Sequence, residues 1–241
     1  MNDTLRITPQ ITVNSGPMGG GKSGNNIAII EGLRDSDILC WGMPREMSIS
    51  ETSRDRRKEM GEPEDAYVFN QPKERFETAL ETGALMERVR HSGTWYASPT
   101  PEPGKPMNFE IEVTGANQII KSQHPDVVIA RTGMRCVYLI QSSMTDLYNQ
   151  IMGRNDGMTE MKKLERISRY PAEIKYIVRN NLPYAFILNA AGNPGLAQEN
   201  SVKYMLGDPS ARVESVRIAM ARAEEAELWL RGRGLELVSI T

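Results

Sequence analysis

The stretch GPMGGGKS, Gly16 to Ser23, fits the pattern GxxxxGK(S/T) in full. It limits the fold more than any other part of the chain. Glycines let a backbone curl until successive N–H groups point at one anion. A helix starting at the loop's end adds its positive dipole end. The flanking sequence supplies both supports. QITVNSG reads as a strand running into the loop, and SGNNIAIIEGLRD reads as a helix with Ile27, Ile30 and Leu33 on one side. The reading is therefore a triphosphate cradle formed by Gly16, Met18, Gly19, Gly20, Gly21, Lys22, Ser23 and Gly24. Lys22 would bridge the terminal phosphates and the Ser23 hydroxyl would reach Mg²⁺. The loop by itself does not separate a kinase from a GTPase or a motor ATPase.

Further along, DILCWGM is read as a short buried strand and QPKERFETALETG as a helix from Pro72 to a stop at Gly83, with Phe76 and Leu80 buried. PTPEPGKP, 99–106, is an irregular connection. MNFEIEVTG alternates like a strand. RCVYLIQS and YAFILNA are continuous apolar runs suited to central parallel strands, and the charged segment between them reads as mostly helical. SARVESVRIAMARAEEAELWLRGRG reads as a long helix with Val213, Val216, Met220 and Ala223 along one stripe. Strands alternating with helices imply α/β architecture around a parallel sheet.

Bulk properties narrow the classes further. With 241 residues and a formal charge of −2, the chain has no global basic field for nucleic acid, so an end kinase acting on nucleic acid is disfavoured. Two cysteines, Cys40 and Cys136, fall short of a disulfide framework or a zinc motif. The opening MNDTLRITPQITVNSG lacks the apolar centre of a signal peptide, and no apolar run is long enough to span a bilayer. A cytoplasmic setting is expected, with no membrane or nucleic-acid partner. The C-terminal helix is first a packing element and could make a homodimer contact.

A phosphoryl-transfer enzyme also needs a receptor that sets an acceptor oxygen in line, with cations to screen developing charge. SISETSRDRRKEMGEPEDAYVF offers Ser50, Arg54, Arg57 and Tyr67. Guanidinium forks suit a phosphate dianion, and a phenol adds a donor.

Seven pieces now stand in a shared order: SGPMGGGKS, SISETSRDRR, GE at 61–62, AYVF, HSGTWYAS, FEIEVTGANQI and MGRN. Together they resemble the guanylate kinases, whose pattern runs SGPSGxGKS, SxSxTTRxPRxGE, DYxF, SGxxYGT or SGxxYGS, LEIDxQGA and RG. The resemblance runs from about residue 11 to about residue 190. It implies a P-loop kinase of three parts: a core (1–47, 99–149 and 171–241), a monophosphate-binding sub-domain (48–98) and a helical lid (150–170). It implies transfer of the ATP γ-phosphoryl group to GMP or dGMP with Mg²⁺. Ser50, Arg54, Arg57, Tyr67 and Tyr96 fall on acceptor-phosphate positions, and Glu87 and Ser98 on guanine-reading positions. Glu110 and Glu112 match the EID pair, Glu110 on the acceptor side and Glu112 beside the metal. Arg154 and Arg166 match lid arginines, and Asn189 matches a position near adenine.

The chain also departs from the pattern. Gly24 replaces Ser/Thr, Ala66 replaces Asp, Ala97 replaces Gly, Glu112 replaces Asp, Gln150 stands for an arginine and Ala190 for an Asp. Spacing around Tyr67 shifts, and PTPEPGKP replaces a short helix. These departures keep two alternatives open: a kinase for another or modified (deoxy)nucleoside monophosphate, as in phage nucleotide metabolism, and a guanylate-kinase-like binding module without catalysis.

Overall fold

The computed structural model describes residues 8–91, 93–154, 157–190 and 193–240. The motif positions Ser92, Asn155, Ala191 and Gly192 lie outside the described residues. Strand β1 (Ile11–Ser15) is wholly buried and runs into the glycine loop. Helix α1 (Lys22–Trp41) leaves the loop. Strand β2 (Glu46–Met47) follows it, then β3 (Glu51–Thr52), a short 3-10 turn at Lys58–Met60, and α2 (Lys73–Glu81). Strands β4 (Leu85–His91) and β5 (Thr94–Pro99) form a hairpin, and β6 (Met107–Glu110) returns to the main sheet. The remainder is α3 (Val113–Lys121), α4 (Pro125–Ala130), β7 (Arg135–Gln141), α5 (Met144–Met152), α6 (Glu160–Arg179), β8 (Tyr184–Asn189), α7 (Pro194–Met205) and α8 (Val216–Arg231).

Two sheets organise these elements. The main sheet has the order β2-β6-β1-β7-β8, and every pairing in it is parallel. The smaller sheet, β3-β5-β4, is antiparallel. The loop thus leaves β1, the middle strand of the main sheet, where the carboxyl ends of parallel strands form a crevice. On one face, Tyr138, Tyr170, Ile174 and Phe186 pack with Ala219, Ala223 and Leu230 of α8. On the other, Ile29 and Leu33 of α1 pack with Leu139, Ile187 and Met205. Phe76, Ala79, Leu85 and Ala97 make a separate core under the small sheet.

Four local expectations are corrected. DILCWGM is not a strand: it completes α1, which ends only at Gly42, where a left-handed backbone closes the last turn onto Ile38. The buried positions Asn26, Ile29, Leu33 and Asp37 recur at three- and four-residue spacing, and this stripe carries the helix onward. It also displaces the expected face, since Ile27 is 57% exposed. In α2 the residue buried beside Phe76 is Ala79, not Leu80. The alternation of MNFEIEVTG stops at Glu110, and Glu112 is the N-cap of α3. In α8 the buried stripe is Ala219, Ala223, Ala226 and Leu230, while Val213 and Val216 stay exposed. The element α7 was not foreseen; Asn193 caps it, accepting from the Leu196 N–H.

Candidate active site

The glycine loop is held from both sides. Lys22 Nζ donates to the carbonyls of Gly16 and Pro17, each at 3.0 Å, so the ammonium is centred over the loop's own turn. Asn189 Nδ2 donates to Gly20 O at 2.9 Å, and Gln141 Nε2 approaches the same oxygen at 3.4 Å. The tips of β7 and β8 therefore fix the loop's far wall. Gly19 has φ 74°, and a Cβ there would stand 2.7 Å from Ile151 Cγ1 of α5. Only glycine combines this backbone with this contact. Ser23 is exposed at the first turn of α1. Met18 meets the lid side, where Arg166 Nη1 lies 3.6 Å from its sulfur.

Two carboxylates stand at the end of β6, Glu110 as its last residue and Glu112 as the N-cap of α3. Glu110 Oε1 is 3.7 Å from Lys22 Nζ. Glu112 Oε2 accepts from Arg169 Nη2 at 3.1 Å. Sequence reading did not single out Arg169. Its signal was the three-residue step from Arg166, which puts both guanidinium groups on one helical face. Arg154 is exposed just beyond α5, and its carbonyl accepts from Lys163 Nζ.

The acceptor-side residues gather on the small sheet and its loops. Arg54 lies against the rings of Tyr67 and Phe69, 5.1 and 5.4 Å from their centroids, and its Nε donates to Tyr96 Oη at 3.3 Å. Glu62 grips Arg54 with both oxygens, at 2.8 and 2.5 Å, and accepts from the Arg57 backbone N–H at 2.9 Å. The Arg54 hydrogen bonds hold the Glu62 carboxyl down at about 2. Glu62 thus ties the Arg54 guanidinium to the backbone at Arg57, a role its place in the GE motif did not disclose. Ser50 is half-buried, and its carbonyl accepts from Val68 N–H at 3.0 Å, which seats the Tyr67 segment beside it.

Glu87 is 3% exposed and pairs across the hairpin with Ser98, itself 2% exposed. Burial pushes its carboxyl up to about 7, against a hydrogen bond from Ser98 that lowers it. Among the described residues Oε2 has no hydrogen-bond partner. A Cβ at Gly115 would come within 2.5 Å of that oxygen, so the glycine of α3 leaves room for the carboxyl. A buried carboxyl with one idle oxygen suits a ligand carrying N–H donors.

Comparison with known proteins decides the family. No family model matches the chain. The guanylate kinase of Enterococcus faecalis is 31% identical over 161 residues, covering 64% of this chain and 69% of that protein. The guanylate kinase of Oceanobacillus iheyensis is 31% identical over 179 residues, covering 69% of this chain and 77% of that protein. The chain belongs to the guanylate kinase family. The fold agrees: a crystal structure of guanylate kinase from Anaplasma phagocytophilum superposes with TM-score 0.52 at 16% identity, covering 95% of this chain and 98% of that one. The protein is thus a P-loop kinase of the ATP-dependent nucleoside monophosphate class.

Within a guanylate kinase fold, several departures have definite local settings. A Cβ at Gly24 would stand 3.1 Å from Gln198 Nε2, the movable end of a side chain on α7. The extra methylene of Glu112 accompanies its pairing with Arg169. Asn189 is occupied by the loop carbonyl of Gly20. Nothing in the structure explains Ala190. The family implies Mg²⁺, and the donor set fits it. Among the described residues no group of three or more His, Cys, Asp or Glu side chains is arranged to hold a metal. A hydroxyl at Ser23 with carboxylates at Glu110 and Glu112 suits an ion held mainly by nucleotide phosphates and water.

Proposed function

We propose that this kinase transfers the γ-phosphoryl group of ATP to GMP or dGMP. The observation that carries the choice of base is the buried Glu87–Ser98 pair with its idle Oε2. Guanine offers N1–H and a 2-amino group to a carboxylate and O6 to a hydroxyl, and adenine does not. A base leaving Glu87 buried and unmatched would be rejected strongly.

Each part then has a task. Backbone N–H groups of Gly16–Ser23 and Lys22 hold the donor phosphates. Arg54, Arg57, Tyr67, Tyr96 and Ser50 hold the acceptor phosphate, with Glu62 tying Arg54 to the backbone at Arg57. Bound Mg²⁺ would neutralise donor phosphate charge; Ser23 and Glu112 are the residues to hold it or its water, and Glu110, expected from the sequence on the acceptor side, joins them because it stands 3.7 Å from Lys22 Nζ. Arg154, Arg166 and Arg169 supply the cations that screen the moving phosphoryl group. Asn189 lies beside the loop on the side assigned to adenine. The small sheet with its loops (48–98) serves as the acceptor sub-domain, the segment 150–170 as the lid, and the rest as the core. Lid closure would exclude water, which otherwise takes the phosphoryl group. No covalent intermediate is required; positioning and charge carry the rate.

The test is turnover with Mg-ATP against GMP, dGMP, AMP, dAMP, UMP, CMP and dTMP, reading ADP and diphosphate products. Products confined to the guanine nucleotides support the proposal. Turnover on another base discards the Glu87–Ser98 reading and keeps the kinase. ATP binding without turnover on any of them overturns the proposed acceptor.

A further inference from the structure

A chain of buried polar side chains links α1, β1 and β6 and ends at Glu110. It begins at an ion pair with no exposed side-chain surface: Arg45 Nε and Nη2 donate to Asp37 Oδ2 and Oδ1 at 2.6 and 2.8 Å. Arg45 Nη1 donates to Thr12 Oγ1 at 2.6 Å. Thr12 Oγ1 donates to Asn108 Oδ1 at 2.7 Å. Asn108 Nδ2 donates to Asn26 Oδ1 at 2.9 Å. Asn26 Nδ2 donates to Glu110 Oε2 at 2.8 Å. The other oxygen of Glu110 is the one 3.7 Å from Lys22 Nζ.

Donor and acceptor directions agree along the whole relay. Thr12 has one proton, and because its oxygen takes the Arg45 N–H, that proton goes to Asn108. The amide of Asn26 is fixed in the same way. Its Oδ1 also accepts from Asn14 Nδ2 at 2.7 Å, so two donors hold the oxygen inward and turn the NH₂ toward Glu110. The reverse amide would set an oxygen against a carboxylate and an NH₂ against two donors. Thr12, Asn14, Asn26, Asp37, Arg45 and Asn108 are each at most 5% exposed. In a dry setting such a network is stiff when every member is matched. The side chain at its end is a carboxylate that is itself partly exposed, beside the P-loop lysine.

We propose that Asn26 is a positioning residue for Glu110, fixing its carboxylate between Lys22 and the reacting phosphates. This rests on the reading that Glu110 works at the phosphate site. Asn26→Asp separates the proposal from a purely structural role. It keeps the inward oxygen that Asn14 and Asn108 need and replaces the outward donor by an acceptor facing Glu110. The expected result is a loss in kcat of about 10- to 100-fold, as for other residues that orient a functional group, with KM for ATP and GMP nearly unchanged. In a Glu110→Gln background the same change should add no further loss, because a positioning residue has nothing left to position. Thr12→Val cuts the relay two links upstream, and its smaller kcat loss should likewise vanish in that background. It also serves where Asn26→Asp does not fold.

Wild-type kcat in Asn26→Asp, or losses that multiply with Glu110→Gln, would overturn the proposal while leaving the site reading intact. Wild-type turnover in Glu110→Gln alone would overturn the site reading, and the proposal with it.

Discussion

Burial sets the protonation of Glu87, and under the proposed function protonation sets how it would accept from guanine. A carboxyl held up near 7 is only part-ionised at neutral pH, and the ionised form accepts from both guanine donors. KM for GMP should therefore fall as pH rises from about 6.5 to about 8, in steady-state assays at saturating ATP. GMP's own phosphate ionises near 6, so Glu87→Gln is the control: it should flatten the dependence above that point. It should also raise KM for GMP by about 10-fold or more, the ordinary cost of losing a hydrogen bond to a charge. At Arg169 the expectation concerns rate. Arg169→Met removes a cation beside Glu112 and Arg166, and kcat should drop by about 10²-fold with little change in GMP affinity. An unchanged kcat would assign Arg169 to packing alone.

The elements around the loop explain why Gly19 tolerates less than a left-handed glycine elsewhere in the chain. Gly19→Ala drives a methyl into Ile151 of α5 while straining a left-handed backbone, so ATP affinity measured by calorimetry should collapse. Gly133→Ala has the same backbone sign, φ 71°, but no atom within 4 Å. It should cost about 1 kcal/mol of stability and leave ATP binding alone. The strand–loop–helix unit was legible because glycine spacing and a flanking apolar run are local signals. The end of α1 was not, since a four-residue apolar run fits strand or helix equally and only the distant Arg45 explains a fully buried Asp37. The same limit applies within the site. The motifs named Glu110, Glu112 and Asn189, but nothing local said that Glu110 approaches Lys22, that Glu112 takes Arg169, or that Asn189 grips Gly20. Those partners lie on other elements and become visible only when the sheet order is known.

At the scale of the molecule, buried carboxyls tie stability to pH. Glu87 and Glu173 are both pushed up to about 7, chiefly by burial, and Glu173 accepts from Tyr138 Oη at 2.7 Å. Their folded-state values exceed the unfolded ones, so the folded protein holds protons that the unfolded chain releases above about 4.5. Stability should fall as pH rises from about 4.5 to about 7 and then level off. Glu62 acts oppositely: held down at about 2, it contributes above about 4.5 and loses that contribution as pH falls toward 2. Thermal melts should therefore peak near pH 5, and Glu87→Gln with Glu173→Gln should flatten the decline above it. A Tm that rises steadily to pH 8 in the unaltered protein would contradict both assignments.

The passage between the two sheets is short. Ser48 N–H donates to Asn108 O of the main sheet at 2.8 Å, and Ser50 O accepts from Val68 N–H on the acceptor side at 3.0 Å. Ile49, 46% exposed, is the residue between those two anchors. The return connection between β5 and β6 is tethered as well, since Gln10 Nε2 donates to Glu102 O at 2.8 Å. Strand β4 is held to the main body as well: Arg88 N–H donates to Gln118 Oε1 of α3 at 3.1 Å, Gln118 Nε2 donates back to Arg88 O at 2.7 Å, and Met86 packs into the main core, so the small sheet is anchored along a strand edge and not only at its two crossings.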